Sequence, residues 1–197
     1  LCAVFLARFC PPRLHRLLKP AVDLLAGIPS IVYGFFGLVV IVPLVQSLFG
    51  GSGKGILTAS VLLGIMILPT IISVTEASIR AVPESYYEGA LALGATKERS
   101  VFCAVMPGAR SGITAGVILG TGRAIGETMA VVMVAGNAAV MPDGLLSGVR
   151  TLTANIVLEM GYAADLHREA LIATAVVLFV FILIINLMFS LLKRKEG

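Results

Sequence analysis

Ala170-Leu-Ile-Ala-Thr-Ala-Val-Val-Leu-Phe-Val-Phe-Ile-Leu-Ile-Ile-Asn186-Leu-Met-Phe-Ser-Leu-Leu192 contains one strongly polar side chain, Asn186, and no charge. A helix needs about 20 apolar residues to cross the hydrocarbon core of a bilayer, and this stretch supplies them. Segments from about Ala26 to Phe49, Gly55 to Ile79 and Gly108 to Ala135 pass the same test. The last three are richer in Gly, Pro, Ser and Thr, which suits helices packed on helices rather than on lipid alone. Pro29, Pro43 and Pro69 are expected to start or bend spans, because proline removes a backbone donor. The opening apolar stretch, Leu1 to Arg8, reads as the tail of a further span whose beginning is missing. The expected fold is all-α, a polytopic membrane bundle of four complete transmembrane helices plus a truncated one.

Composition agrees. Of 197 residues, 58% are hydrophobic and 13% charged, and the mean hydropathy is +1.00. A soluble domain carries roughly 25% charged residues, and one of this size could not hide so much apolar surface. The net charge of +4 does not indicate nucleic acid, because the basic residues sit between the apolar runs and report topology. With each span crossing once, Arg8, Arg13, Arg16, Lys19, Arg80, Lys97, Arg99, Arg110, Lys193, Arg194 and Lys195 share one side, which the positive-inside rule makes cytoplasmic. Lys54 and Arg150 fall outside, with Arg168 near the outer boundary. The three cysteines and two histidines have no metal-ligand spacing.

Two connections stand out. The external one, Gly136 to Glu169, contains Thr151-Leu-Thr-Ala-Asn-Ile-Val-Leu-Glu-Met-Gly161, too short and polar to span and so an interfacial or re-entrant helix. The cytoplasmic one, 80–107, includes Pro83-Glu-Ser-Tyr-Tyr-Glu88-Gly89-Ala90-Leu-Ala-Leu-Gly94-Ala-Thr96 and closes at Pro107. Pro83 suits a first helical turn, Gly94 a helix end, and Thr96 the cap of a second short helix. Tyr86 and Tyr87 are candidates for contact with a partner or for anchoring at the headgroups.

Within the third complete span, Gly108, Gly112, Gly116 and Gly120 recur every four residues, a stripe that lets helix backbones approach closely. Arg123 and Glu127 follow. Arg123 lies roughly 22 Å along the helix from Gly108 at ~1.5 Å per residue, well inside the bilayer, where each charge costs about 2.5–3.5 kcal/mol. On a continuous helix their spacing places both on one face. They read either as a self-neutralising structural pair or as an anion-attracting Arg held by Glu127. Glu76 and Arg80 suggest a local ion pair at the inner end of a span, and Asp23 a residue in the first turn of a helix. Gly50-Gly-Ser-Gly-Lys54-Gly55 lacks the first glycine and the Ser/Thr of a phosphate-binding P-loop and reads as an external turn.

The cytoplasmic segment resembles the EAA loop of the ABC-transporter permeases of the MetI-like family. Glu88, Ala90, Gly94 and Pro107 stand at the family spacing, with Gly89, Ala104 and Met106 as small or apolar departures. That resemblance implies a coupling helix that docks on an ATP-binding subunit, through Glu88, Gly89, Ala90, Gly94 and Pro107. Gly122-Arg123-Ala-Ile-Gly126-Glu127 resembles the corresponding segment of oxyanion-importing permeases. Its continuation, Thr128-Met129-Ala130-Val131, resembles the phosphate-specific PstC-type permeases, as do Ala26-Gly-Ile-Pro29-Ser-Ile-Val-Tyr33-Gly34 and the segment from Arg150 to Met160.

The resemblance implies a single permease domain over 1–197 in the bacterial inner membrane, with a cytoplasmic C-terminus and no cofactor or metal. It implies alternating access, with Arg123, Glu127 and Thr128 on the anion pathway. The implied partners are a second, PstA-like permease subunit, ATP-binding subunits that hydrolyse ATP, and an extracytoplasmic phosphate-binding protein. Molybdate or sulfate import and a passive anion channel are the alternatives. An intramembrane enzyme would need a nucleophile and base at membrane depth, and neither histidine falls clearly inside a span.

Overall fold

The computed structural model describes residues 1–196, with side chains through Phe189. Lys193, Arg194 and Lys195, part of the topology argument, therefore have side chains outside the described residues. Helix α1 runs over Cys2–Val4 and continues as a π-turn, Phe5–Phe9. It is followed by α2 (Pro12–Gly27) and α3 (Ser30–Phe49). Next come α4 (Ile56–Arg80), α5 (Glu84–Ala92), α6 (Lys97–Gly108) and α7 (Arg110–Ile125). Helices α8 (Met129–Val134), α9 (Leu152–Glu159) and α10 (Asp165–Glu196) complete the chain.

Among the described residues three helices, α3, α4 and α10, are long and apolar enough to cross a membrane. A fourth span exists if α6 and α7, bent by 71° at Ala109, count as one. The expected continuous span from Gly108 to Ala135 is therefore interrupted twice, at Ala109 and again at Gly126–Thr128. Pro107 and Gly108 account for the first break, since one lacks a donor and the other stiffness.

The prolines also explain two local widenings. A proline ring clashes with the carbonyl four residues earlier. Pro43 and Pro107 would strike the carbonyls of Val39 and Cys103, and those residues are the centres of the π-turns Gly37–Ile41 and Val101–Val105; Pro11 follows the extended Cys10, outside the π-turn Phe5–Phe9. Widening the turn moves the carbonyl aside and keeps the helix continuous. Pro69 is accommodated inside α4 without such a turn, and Pro29 precedes α3 as its cap residue.

The chain divides into two compact units. One comprises Leu1–Gly27, Leu68–Thr121 and the chain from Phe189; its core joins Val4, Ile79, Val82, Val101, Val105 and Ala109. The glycine stripe works there as a seam: a Cβ on Gly112 would collide with Ser78, and one on Gly116 would press on Val74 and Thr75. The other unit comprises Ile28–Ile67 and Gly122–Met188, with a core of Tyr33, Ile41, Leu62, Met66, Ala130 and Val134 among others. Gly34 serves α3 in the same way, its missing Cβ leaving room for the backbone of Ala130 on α8.

Helix α2 is amphipathic in an inverted sense. At about 100° per residue, His15, Lys19 and Asp23 share one face, and Leu14, Leu17, Leu24 and Leu25 the opposite one. The polar face is the one joined to α4, through Glu76 and Ser73. The leucines point outward, with Leu17 70% and Leu24 74% exposed. A helix in water would turn the other way. Asp23 thus lies toward the end of α2 and hydrogen-bonds to Ser73 and Lys19, rather than in a first helical turn.

Candidate functional site

The 80–107 connection forms the two short helices its punctuation predicts. Pro83 precedes α5, and Gly94 follows it at φ +85, a left-handed conformation that suits glycine. Thr96 accepts a hydrogen bond from the Arg99 amide at 3.3 Å and caps α6. Glu88, Gly89, Gly94 and Pro107 are exposed, and Ala90 is half-buried. Leu93 is 92% exposed at the same turn, a large apolar side chain whose exposure the sequence reading did not single out. The other end of α5 is tied down: Arg8 forms a 2.6 Å ion pair with Glu84 and stacks 5.8 Å from the centre of the Tyr87 ring. Tyr86 stays half-exposed.

Arg80 and Glu76 form the expected pair at 3.0 Å, but within a larger cluster. Glu76 is only 3% exposed and also meets His15 Nε2 at 2.7 Å and Lys19 Nζ at 3.3 Å. Arg80 donates as well to the Leu6 carbonyl at 2.9 Å. Outside the spans, the Ser73 hydroxyl and then the Lys19 ammonium hold the Asp23 carboxyl below its usual range. Burial opposes the charge on Lys19, but Asp23 and Glu76 outweigh it and push its pKa up. Nothing in the spacing of residues 15, 19 and 76 announces this cluster; only the return of α2 onto α4 assembles it.

In the second unit, α7 ends two residues after Arg123, and the chain unwinds over Gly126–Thr128 before α8 begins. Arg123 and Glu127 therefore do not share the face of one continuous helix. Arg123 lies in the last turn of α7, where a cation complements the helix dipole, and within electrostatic reach of the Tyr33 phenol. Glu127 Oε1 accepts from the Ala130 amide at 3.2 Å, supplying the cap for α8. Thr128 donates to the Gly126 carbonyl at 3.3 Å.

The connection over 136–169 reaches this break. Helix α9 starts at Thr151, which accepts from the Ala154 amide at 3.2 Å. The Thr153 hydroxyl donates to the Glu127 carbonyl at 3.1 Å and lies 3.0 Å from that of Thr151. Its single proton is thus committed to Glu127, and Thr151 is the donor between the two hydroxyls. Arg150 fixes the other side of the loop, donating to Glu159 at 2.7 Å, to the Asn137 carbonyl at 3.0 Å and to Asn155 at 3.4 Å. The break thus gathers Arg123, Glu127 and Thr128 with Tyr33, Thr151 and Thr153. The last three escaped sequence reasoning, although all of them stand in the quoted motifs.

Helix α7 thus stops beside a half-buried arginine at an irregular, hydrogen-bonded segment. The chain matches the model of the binding-protein-dependent transport system inner membrane component over residues 1–196. It belongs to that family. Among curated relatives it is 38% identical over 200 residues to a probable ABC transporter permease protein, YqgH, of Bacillus subtilis, covering 98% of this chain and 64% of that one. It is 39% identical over 219 residues to the phosphate transport system permease protein PstC of Xylella fastidiosa, covering 99% and 68%. To PstC of Mesorhizobium japonicum it is 40% identical over 204 residues, covering 93% and 62%. The chain thus spans about two thirds of the length of these relatives. The fold matches the methionine ABC transporter MetNI in an inward-facing crystal form, with a TM-score of 0.76 over 100% of this chain and 84% of that one, at 21% identity. An inner-membrane component of this family is a multi-pass, all-helical protein, as the three apolar spans of this one require.

Proposed function

We propose that this chain is a permease subunit of an ATP-driven importer of inorganic phosphate. The carrying observation is the similarity to PstC proteins over 93–99% of this chain together with an arginine in the last turn of a helix that breaks off just after it. The guanidinium of Arg123 offers a planar, always-charged fork that matches two phosphate oxygens. Glu127 and Thr128 shape the unwound segment beside it, and Tyr33 adds a phenol close by. Removing a charge-assisted contact costs about 1.5–3 kcal/mol, so Arg123→Gln should lower phosphate uptake by roughly ten- to a hundredfold while the complex still assembles. Normal uptake in that variant would remove Arg123 from the pathway.

In this reading the 80–107 loop is the coupling element. Glu88, Gly89, Ala90, Gly94 and Pro107 form or bracket the docking helix, and the exposed Leu93 is its apolar anchor in a groove of an ATP-binding subunit. Hydrolysis happens on that separate subunit. A PstA-like permease supplies the other half of the gate, and an extracytoplasmic phosphate-binding protein delivers phosphate near α9. The distribution of basic residues supports a cytoplasmic side for this loop and the C-terminus. Competition of labelled phosphate uptake by sulfate and molybdate tests the substrate: only unlabelled phosphate should compete. Equal competition by either of the others would favour a different oxyanion.

A further inference from the structure

We infer that the recess between the end of α1 and helix α2 binds the phosphate group of an anionic phospholipid. The recess has a volume of about 360 Å³ and is lined by Ala7, Cys10, Pro12, His15, Arg16 and Arg80. All of it lies within the first unit. Its charge is cationic after internal pairing is counted. Glu76 is enclosed by His15, Lys19 and Arg80, and Asp23 is held by Lys19 and Ser73. Those two carboxylates offset Lys19 and Arg80. Arg16 remains, exposed and with no hydrogen bond or ion pair among the described residues. Arg13, on the same helix, is exposed too. The Arg80 guanidinium uses Nε on Glu76 and Nη2 on Leu6, so Nη1 is left to meet a ligand.

The second observation selects the ligand. The leucine face of α2 runs beside this recess and points away from the protein, with Leu14, Leu17, Leu24 and Leu25 all exposed. A free anion would satisfy Arg16 and leave the leucines in water. A phospholipid satisfies both, with its phosphate at Arg16 and Arg80 and its acyl chains along the leucines. The helix then lies in the membrane interface with its polar face toward the protein, the placement its inverted amphipathicity demands. An anionic headgroup is favoured because the recess carries uncompensated positive charge. This inference is independent of which solute is transported, and an Arg123 variant should leave it untouched.

The test uses the complete importer in nanodiscs of phosphatidylcholine containing a minor fraction of phosphatidylglycerol, with retained lipid counted by native mass spectrometry after detergent extraction. The wild type should retain phosphatidylglycerol over phosphatidylcholine. Arg16→Gln, which breaks no interaction within the protein, should lower that retention about fivefold, corresponding to ~1 kcal/mol for one basic residue near an anionic surface. Arg168→Gln at the other end of the chain should change nothing. Undiminished retention in Arg16→Gln would overturn the site. Displacement of the lipid by millimolar inorganic phosphate would overturn the lipid as its occupant in favour of a soluble anion. A Leu17→Cys variant labelled with a nitrobenzoxadiazole dye should be quenched by nitroxide-bearing lipid; loss of that quenching on assembly would show a protein subunit covering the leucines and would also refute the proposal.

Discussion

Glu76→Gln keeps the shape of the side chain and removes the charge on which α2 is anchored. The carboxylate is 3% exposed and meets His15 at 2.7 Å, Arg80 at 3.0 Å and Lys19 at 3.3 Å. Breaking a fully buried pair costs about 3–5 kcal/mol, chiefly because a charge is left uncompensated. Here the partners are 26%, 47% and 28% exposed, so water recovers part of that penalty and about 2–3 kcal/mol remains. In a chain of this size each kcal/mol moves a melting temperature by roughly 2–4 °C, which gives a fall of ~5–10 °C. The chain has no tryptophan, so the transition is best followed by size-exclusion chromatography of a fluorescent fusion after heating in detergent.

The loss should be local. Cys10 is half-buried beside His15 and Arg80, and loosening α2 should raise its maleimide labelling rate in a chain whose other two cysteines are serine. The pH dependence of the same clamp has a definite sign. Asp23 is depressed, so its contribution is present above the ordinary carboxylate value of 3.8 and lost as pH falls below it. Lys19 is raised, so its contribution is full below 10.5 and lost at higher pH. The contributions of Asp23 and Lys19 are therefore both full between those limits. A Glu76→Gln chain that melts within about 1 °C of the wild type, with unchanged Cys10 labelling, would refute the anchoring role.

Gly112→Val should prevent α7 from approaching α4 at Ser78 and abolish stable expression, whereas Gly64→Ala, with open space around it, should be tolerated; expression in membranes compares them. Arg150→Gln removes three hydrogen bonds that fix the external loop and should raise the concentration of binding protein needed for half-maximal uptake about tenfold, equivalent to ~1.4 kcal/mol, with the maximal rate little changed. Leu93→Asp on the coupling turn should abolish co-purification of an ATP-binding subunit while leaving the chain in the membrane; retention of that subunit would exclude the turn as its docking point.

Most of the secondary structure was legible because the rules behind it are local. Apolar length marked three spans, and Pro83, Gly94 and Thr96 marked the ends of α5 and α6 through backbone chemistry that neighbours barely alter. The glycine stripe announced a seam, since small residues at a fixed spacing have few other uses in a span. The break at Gly126–Thr128 was harder. Hydropathy runs straight through it, and only the competing bonds of Glu127 to Ala130 and Thr153 to Glu127 make unwinding there affordable. The same limit hid Arg150, whose partners lie on both sides of an irregular loop.

The sequence by itself determined that the polypeptide is a membrane helix bundle, and it marked the start of α5, its end at Gly94 and the start of α6. Each of those follows from transfer free energy and backbone geometry summed over neighbouring residues. The tertiary structure decided which charges meet. His15, Lys19, Glu76 and Arg80 become one cluster, and Arg123 comes within electrostatic reach of Tyr33, because α2 returns onto α4 and α3 packs against α8. Electrostatic pairing depends on distances through space that no spacing along the chain encodes, and in a low-dielectric membrane those distances decide what an arginine costs and what it can do.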